Sequence, residues 1–265
     1  MTDLRFLTAT ILSAAAFYLL LTLLFSELVV LNASIASNVP WSMVAVCLIL
    51  WISTATVAKR WCAVPLVSHP GGWLPIVVFI ASASICCIAV AVVQGWIFRV
   101  EVTALGIGVE AGPALSLTYS AVIPPVAAVV EEVSFRGILQ SRLQFRYGWL
   151  IGAVVSILTF VLAHSWKPSL ASQLGLYIAI GIATTAIVAR CGFLLPAVLS
   201  HGLGNMVLAI IPIVGGPVHL FALPVEIAMS ILIIGVLAFL GACVALVYVR
   251  VPKAGNARLG AQVND

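Results

Sequence analysis

Apolar runs of about twenty residues, long enough to cross the hydrocarbon core as helices, follow one another along the chain with short polar breaks between them. A sliding window of that length places spans at about 6–31, 41–58, 73–98, 117–140, 149–165, 170–189, 193–212 and 224–249. The fold this predicts is all-α, a polytopic transmembrane helical bundle of about eight spans. The first apolar run, behind Arg5, is too long for the h-region of a cleaved signal peptide and is taken as a span. The stretch 101–116, with Gly106, Gly108, Gly112 and Pro113, reads as an outer loop or interfacial segment. The expected organisation is a single transmembrane domain over 1–251, with a catalytic core at about 117–212, and a polar, disordered cytoplasmic tail over 252–265.

Charge sets the orientation. Lys and Arg concentrate in cytoplasmic loops, and with the N-terminus inside, Arg5, Lys59, Arg60, Arg142, Arg146, Arg190, Arg250, Lys253 and Arg258 all fall on that side. Arg99 and Lys167 fall outside. An even number of spans, with both termini cytoplasmic, preserves this bias and an odd number spoils it. Composition agrees: 63% of residues are hydrophobic and 8% charged, against roughly a quarter charged in soluble domains. The formal net charge of +4 is thinly dispersed and forms no basic stripe, so nucleic acid is not an expected partner. The six cysteines lie mostly in apolar runs and show no metal-type spacing. The expected location is multi-pass in a membrane, with the look of a bacterial plasma-membrane protein. No internal repeat marks a transporter.

Ionisable residues inside spans are expensive and call for a reason. Here they collect in three spans: Glu131, Glu132 and Arg136 in the fourth, His164 at the end of the fifth, and His201 with Asn205 in the seventh. Glu131 and Glu132 stand roughly 100° apart around a helix, which predicts different roles. Glu132 and Arg136 have the spacing of an intrahelical ion pair, while Glu131 has no basic partner at that spacing and suits a general base. His201 and Asn205 share one helix face, as do Phe160 and His164. Gly202 and Gly204 allow close helix approach. The structural alternatives are a charge cluster at the membrane surface for Glu132 and Arg136, and an interhelical hydrogen-bonding pair for His201 and Asn205. A base, two imidazoles and an amide suffice for hydrolysis: a carboxylate activates water, one imidazole positions it, and the other with the amide stabilises an oxyanion. Two His and a Glu also form a zinc ligand set, so Glu131, His164 and His201 are the candidate ligands if zinc is present.

The motifs Glu-Glu-x-x-x-Arg at 131–136, Phe-x-x-x-His at 160–164 and His-x-x-x-Asn at 201–205, in this order on separate spans, resemble the CPBP family of intramembrane proteases. That family includes type II CAAX prenyl endopeptidases and bacteriocin-processing or self-immunity proteins. The resemblance implies an intramembrane endopeptidase acting on a peptide or membrane-protein substrate within the bilayer. It implies that Glu131 activates water with His164, that His201 and Asn205 stabilise the tetrahedral intermediate, and that Glu132, Arg136 and Phe160 support them. No cofactor is expected on the glutamate mechanism, and zinc on the metal-dependent one. The alternative from another class is a scaffold or immunity protein that binds in the same cavity without proteolysis. A proton relay through Glu131 and the two histidines is a third.

Other protease chemistries do not fit. There is no His-Glu-x-x-His and no Gly-x-Ser-Gly, and the only aspartates are Asp3 and Asp265. Glu27, Glu226, His69 and His219 are assigned no role. Pro124 and Pro125, before Glu131, are expected to kink the fourth span. One tension stands in these assignments. His164 falls near the outer end of its span, Glu131 near mid-membrane and His201 at half depth, so a shared site requires the fifth span to start later, tilt or be offset.

Overall fold

A computed structural model of the chain describes residues 3–35, 40–68, 72–99, 101–102, 113–165, 170–215 and 218–249. Its helices are α1 (Asp3–Ile35), α2 (Pro40–Trp61), α3 (Leu74–Ile97), α4 (Pro113–Glu132), a π-helix (Val133–Gln140), α5 (Ser141–Tyr147), α6 (Trp149–Ala163), α7 (Leu170–Cys191), α8 (Leu195–Gly215) and α9 (Val225–Tyr248). Proline sets most of the starts: Pro40 and Pro113 open α2 and α4, Pro75 and Pro196 are second in α3 and α8, and Pro224 precedes α9. The missing N–H matters least there. Glycine sets two of the ends, Gly148 between α5 and α6 at φ 89° and Gly192 after α7 at φ 74°, in backbone that side chains resist.

The architecture is all-helical apart from one two-residue ladder, and among the described residues four stretches are long and apolar enough to cross a membrane: Asp3–Leu24, Leu74–Ile97, Ala171–Cys191 and Val225–Tyr248. α3 packs along α9, α7 and α8, and α4 along α8. The side of α9 facing the bundle carries only small buried residues, Ala228, Gly235, Ala242 and Ala245. Gly235 lies so close to Ala89 of α3 that a β-carbon there would overlap it. Small residues permitting backbone approach are the usual solution where lipid removes the hydrophobic drive between helices. The remaining surface of α9 is large and apolar, from Ile233 to Val247, as lipid contact requires.

Several expectations change. The fourth span is one run of helix from Pro113 to Tyr147 that is π-helical over Val133–Gln140, and its start lies within the stretch expected to be loop. Glu101 and Val102 pair antiparallel with His219 and Val218 in a two-residue ladder, a contact that hydropathy does not encode. The expected loop positions 103–112, the tail 252–265, Lys167 and His69 lie outside the described residues, as does the side chain of Glu27. α6 has the expected limits but only 15 residues, or about 22 Å of helix, against roughly 30 Å of hydrocarbon.

Candidate active site

Glu131 and Glu132 are the last two residues of α4, immediately before the π-helix. The wider turns continue to Ser141, whose N–H reaches the Arg136 carbonyl five residues back. Such segments are rare and occur frequently at functional sites. Two serines bond back to carbonyls here, Ser134 Oγ to Val130 O at 2.7 Å and Ser141 Oγ to Gly137 O, a pattern that bends helices. Gly137 is required by contact: a β-carbon would run into Cys62 Sγ and Leu194. Every residue from Ala128 to Ser141 is buried.

The side chains converge on the carboxylate of Glu131. His164 Nε2 lies 3.7 Å from one of its oxygens and His201 Nε2 lies 3.6 Å from the other. Both separations exceed direct hydrogen-bond length. Glu132 meets the same His201 ring from its opposite nitrogen, Nδ1 to Oε1 at 2.8 Å. A carboxylate only accepts, so Nδ1 carries a proton. The second oxygen of Glu132 faces Arg136 Nε at 3.3 Å, and both side chains are 0% exposed. These two atoms form an ion pair without hydrogen-bond alignment. The Arg136 guanidinium also lies 4.5 Å from the Phe160 ring centre and points Nη2 at the Gly181 carbonyl. Arg136 is therefore held by a charge, a ring and a helix carbonyl.

His164 caps the C-terminus of α6. Its Nδ1 donates to the Phe160 carbonyl at 2.8 Å, which leaves Nε2 for Glu131. Phe160 lies against the imidazole with ring centres 4.7 Å apart and planes tilted 55°, and Tyr177 of α7 lies at 4.4 Å, tilted 30°. The Tyr177 hydroxyl donates to Gln173 Oε1 at 2.7 Å. His201 reaches the site because α8 crosses α4 closely at Gly202, where a β-carbon would stand 3.3 Å from Pro125 Cα. Gly204, expected to share that duty, has nothing near the place of its β-carbon. Asn205 lies one turn beyond His201 on α8, half-buried.

Sequence reasoning put Glu131, His164 and His201 in one site, and the helices bring their side chains together. The tension over depth does not keep the groups apart: His164, at the C-terminal end of the 15-residue α6, lies 3.7 Å from the Glu131 carboxylate. The sequence-derived division of Glu131 from Glu132 takes a different form: the two carboxylates flank opposite nitrogens of one imidazole. Two tyrosines went unnoticed. Tyr177 lies against His164, and Tyr18 of α1 has its ring centre 6.2 Å from His164 and 5.1 Å from Phe135. The signal for both was available at i, i+4 spacing, Tyr177 with Gln173 and Tyr18 with Thr22. Glu226 is exposed on α9, and its position offers it no part in this cluster.

Zinc accepts two imidazoles and a carboxylate, and both rings have Nδ1 engaged, as metal-bound histidines do. The three groups that would hold the metal are Glu131, His164 and His201.

Residues 113–207 match the family described as Type II CAAX prenyl endopeptidase Rce1-like. The matched segment runs from the start of α4 into α8 and contains every charged and imidazole group of the cluster. No curated protein and no solved structure matches the chain.

Proposed function

We propose that this chain, whose residues 113–207 match the Type II CAAX prenyl endopeptidase Rce1-like family, is an intramembrane endopeptidase of the CPBP/CAAX kind that cleaves membrane-associated peptides with a water activated by Glu131. The observation that carries the reading is the position of the Glu131 carboxylate between two Nε2 atoms, each ring fixed at its other nitrogen. A water held against Glu131 and His164 gives its proton to Glu131 as its oxygen bonds to the scissile carbonyl carbon. The proton then passes from Glu131 to the leaving nitrogen as the C–N bond breaks. His164 donates Nδ1–H to a backbone carbonyl, so its neutral ring presents an Nε2 lone pair that orients the water. His201 with Nδ1–H on Glu132 stabilises the oxyanion only when Nε2 is also protonated. That form balances the site: the cations Arg136 and His201 face the anions Glu131 and Glu132. Asn205, on the same face of α8, supplies a second oxyanion donor.

The Lys and Arg distribution supports an orientation with Arg142, Arg146 and Arg190 on the cytoplasmic side, and with it a cytoplasmic approach for substrate. The test compares purified wild type with Glu131→Gln on a peptide library, alongside metal analysis of the wild type. We expect cleavage by wild type only and no stoichiometric metal. Equal cleavage by both proteins would remove Glu131 from the chemistry. Stoichiometric zinc would replace the metal-free mechanism, and binding without cleavage by both would favour a scaffold.

A further inference from the structure

A second cavity, of about 630 Å³, lies between α6, α7 and α9 and shares no lining residue with the glutamate and histidine cluster. Its volume falls within the roughly 300–1,000 Å³ of small-molecule sites. Its walls are apolar and small, with Ala153 and Ile157 from α6 facing Ile182 and Ala186 from α7. Its polar groups are Gln144, Thr185 and Arg190. Thr185 is 4% exposed, and its Oγ1 has no hydrogen-bond partner, although buried hydroxyls are nearly always paired. Arg190 stands at the C-terminal ends of α7 and α9. Its Nε and Nη2 donate to Leu246 O at 3.1 Å and Val247 O at 3.2 Å. Nη1 carries no further bond among the described residues. Trp149, 65% exposed, lines the same cavity.

We propose that this cavity binds one anionic phospholipid from the leaflet at the C-terminal ends of α7 and α9. The head group lies at Arg190, a polar backbone oxygen of the lipid accepts from Thr185 Oγ1, and an acyl chain fills the alanine and isoleucine walls. The walls belong to helices whose outward faces are apolar, including Leu158, Ile178 and Val244, so the ligand that surrounds the cavity is the bilayer itself. A basic pocket between transmembrane helices is the recognised form of an anionic head-group site. A helix from a second copy of the chain would satisfy the walls and leave the arginine and the buried hydroxyl unmatched.

The test uses the full chain, purified and returned to vesicles of phosphatidylglycerol or phosphatidylcholine. Native mass spectrometry is expected to retain one phosphatidylglycerol per chain and no phosphatidylcholine. Arg190→Gln, which keeps a donor for the α9 carbonyls, is expected to weaken retention roughly fivefold. Ala186→Phe, which fills the cavity, is expected to abolish it. On the unmodified fold, brominated phosphatidylglycerol should quench fluorescence more than brominated phosphatidylcholine, with the difference lost in Trp149→Phe. Equal retention of both lipids, retention unchanged by Ala186→Phe, or a dimer that competes with lipid would each overturn the proposal. Quenching independent of head group would do so even if the filled variant failed to fold.

Discussion

At the scale of single residues, the informative pair is Glu131 and Glu132. Both are buried carboxylates on the same turn, yet removal should separate them. Glu131→Gln is expected to reduce cleavage by about 10²-fold or more while thermal unfolding in detergent stays near wild type. Glu132→Ala leaves Arg136, 0% exposed, without its counter-charge. Breaking a buried pair in this way costs about 3–5 kcal/mol, so this variant should lose its folded helix signal at a clearly lower temperature. If both variants unfold alike, the division of labour between them is wrong. Tyr177 gives a finer test. Tyr177→Phe keeps the ring against His164 and should cleave normally, whereas Tyr177→Leu loses a contact of about 0.5–1.5 kcal/mol. That loss should lower kcat by up to about tenfold without changing KM. A fall in KM-dependent binding alone would place Tyr177 in substrate contact instead.

At the scale of elements, the charged motif was legible because polar groups in apolar runs need a reason, and the helices carrying it were legible from length. The π-turns were not. Nothing in the spacing of Glu131 to Gln140 distinguishes five-residue from four-residue hydrogen bonding, and the π-turns accompany contacts the spacing does not show, Gly137 against Cys62 just past α2 and Ser134 and Ser141 on their own backbone. The limits of α6 were read correctly from hydropathy, but a window tuned to whole spans assumes a full crossing, which a helix of 15 residues does not require. A close helix approach was expected at the two glycines, and Gly202 alone bears it, against Pro125 of α4. Gly202→Val should force α8 away from Pro125, with a penalty of about 1–3 kcal/mol. Because His201 is its neighbour, activity should fall further than stability. Gly204→Ala should change neither, and cleavage assays beside unfolding curves on the two variants check this directly.

Across the whole molecule, the bundle was recoverable from composition, while the pairing of helices was not, since lipid-facing and bundle-facing sides are both apolar. α9 shows why: only its small residues turn inward, and a hydropathy average cannot see that. Orientation is open to measurement. With Cys243, the exposed thiol, changed to Ser, Gln144→Cys should react with a membrane-impermeant thiol reagent only from the cytoplasmic face. Reaction from the outer face alone would invert the topology on which cytoplasmic substrate entry depends.

The 15 residues of α6 have a further consequence for the membrane rather than the protein. Beside the 24-residue α3 and α9, this helix is about 8 Å shorter than the hydrocarbon thickness, which predicts that lipids against its exposed face, at Trp149 and Leu162, compress to cover it. The chain thereby acts as a local gauge of bilayer thickness. Thick bilayers should strain the end of α6 that carries His164, and thin ones should relieve it. Reconstituted in a series of phosphatidylcholines of increasing acyl length, the protein should cleave fastest in the shorter chains and slow progressively in the longer, and a flat response would show that the neighbouring helices absorb the mismatch.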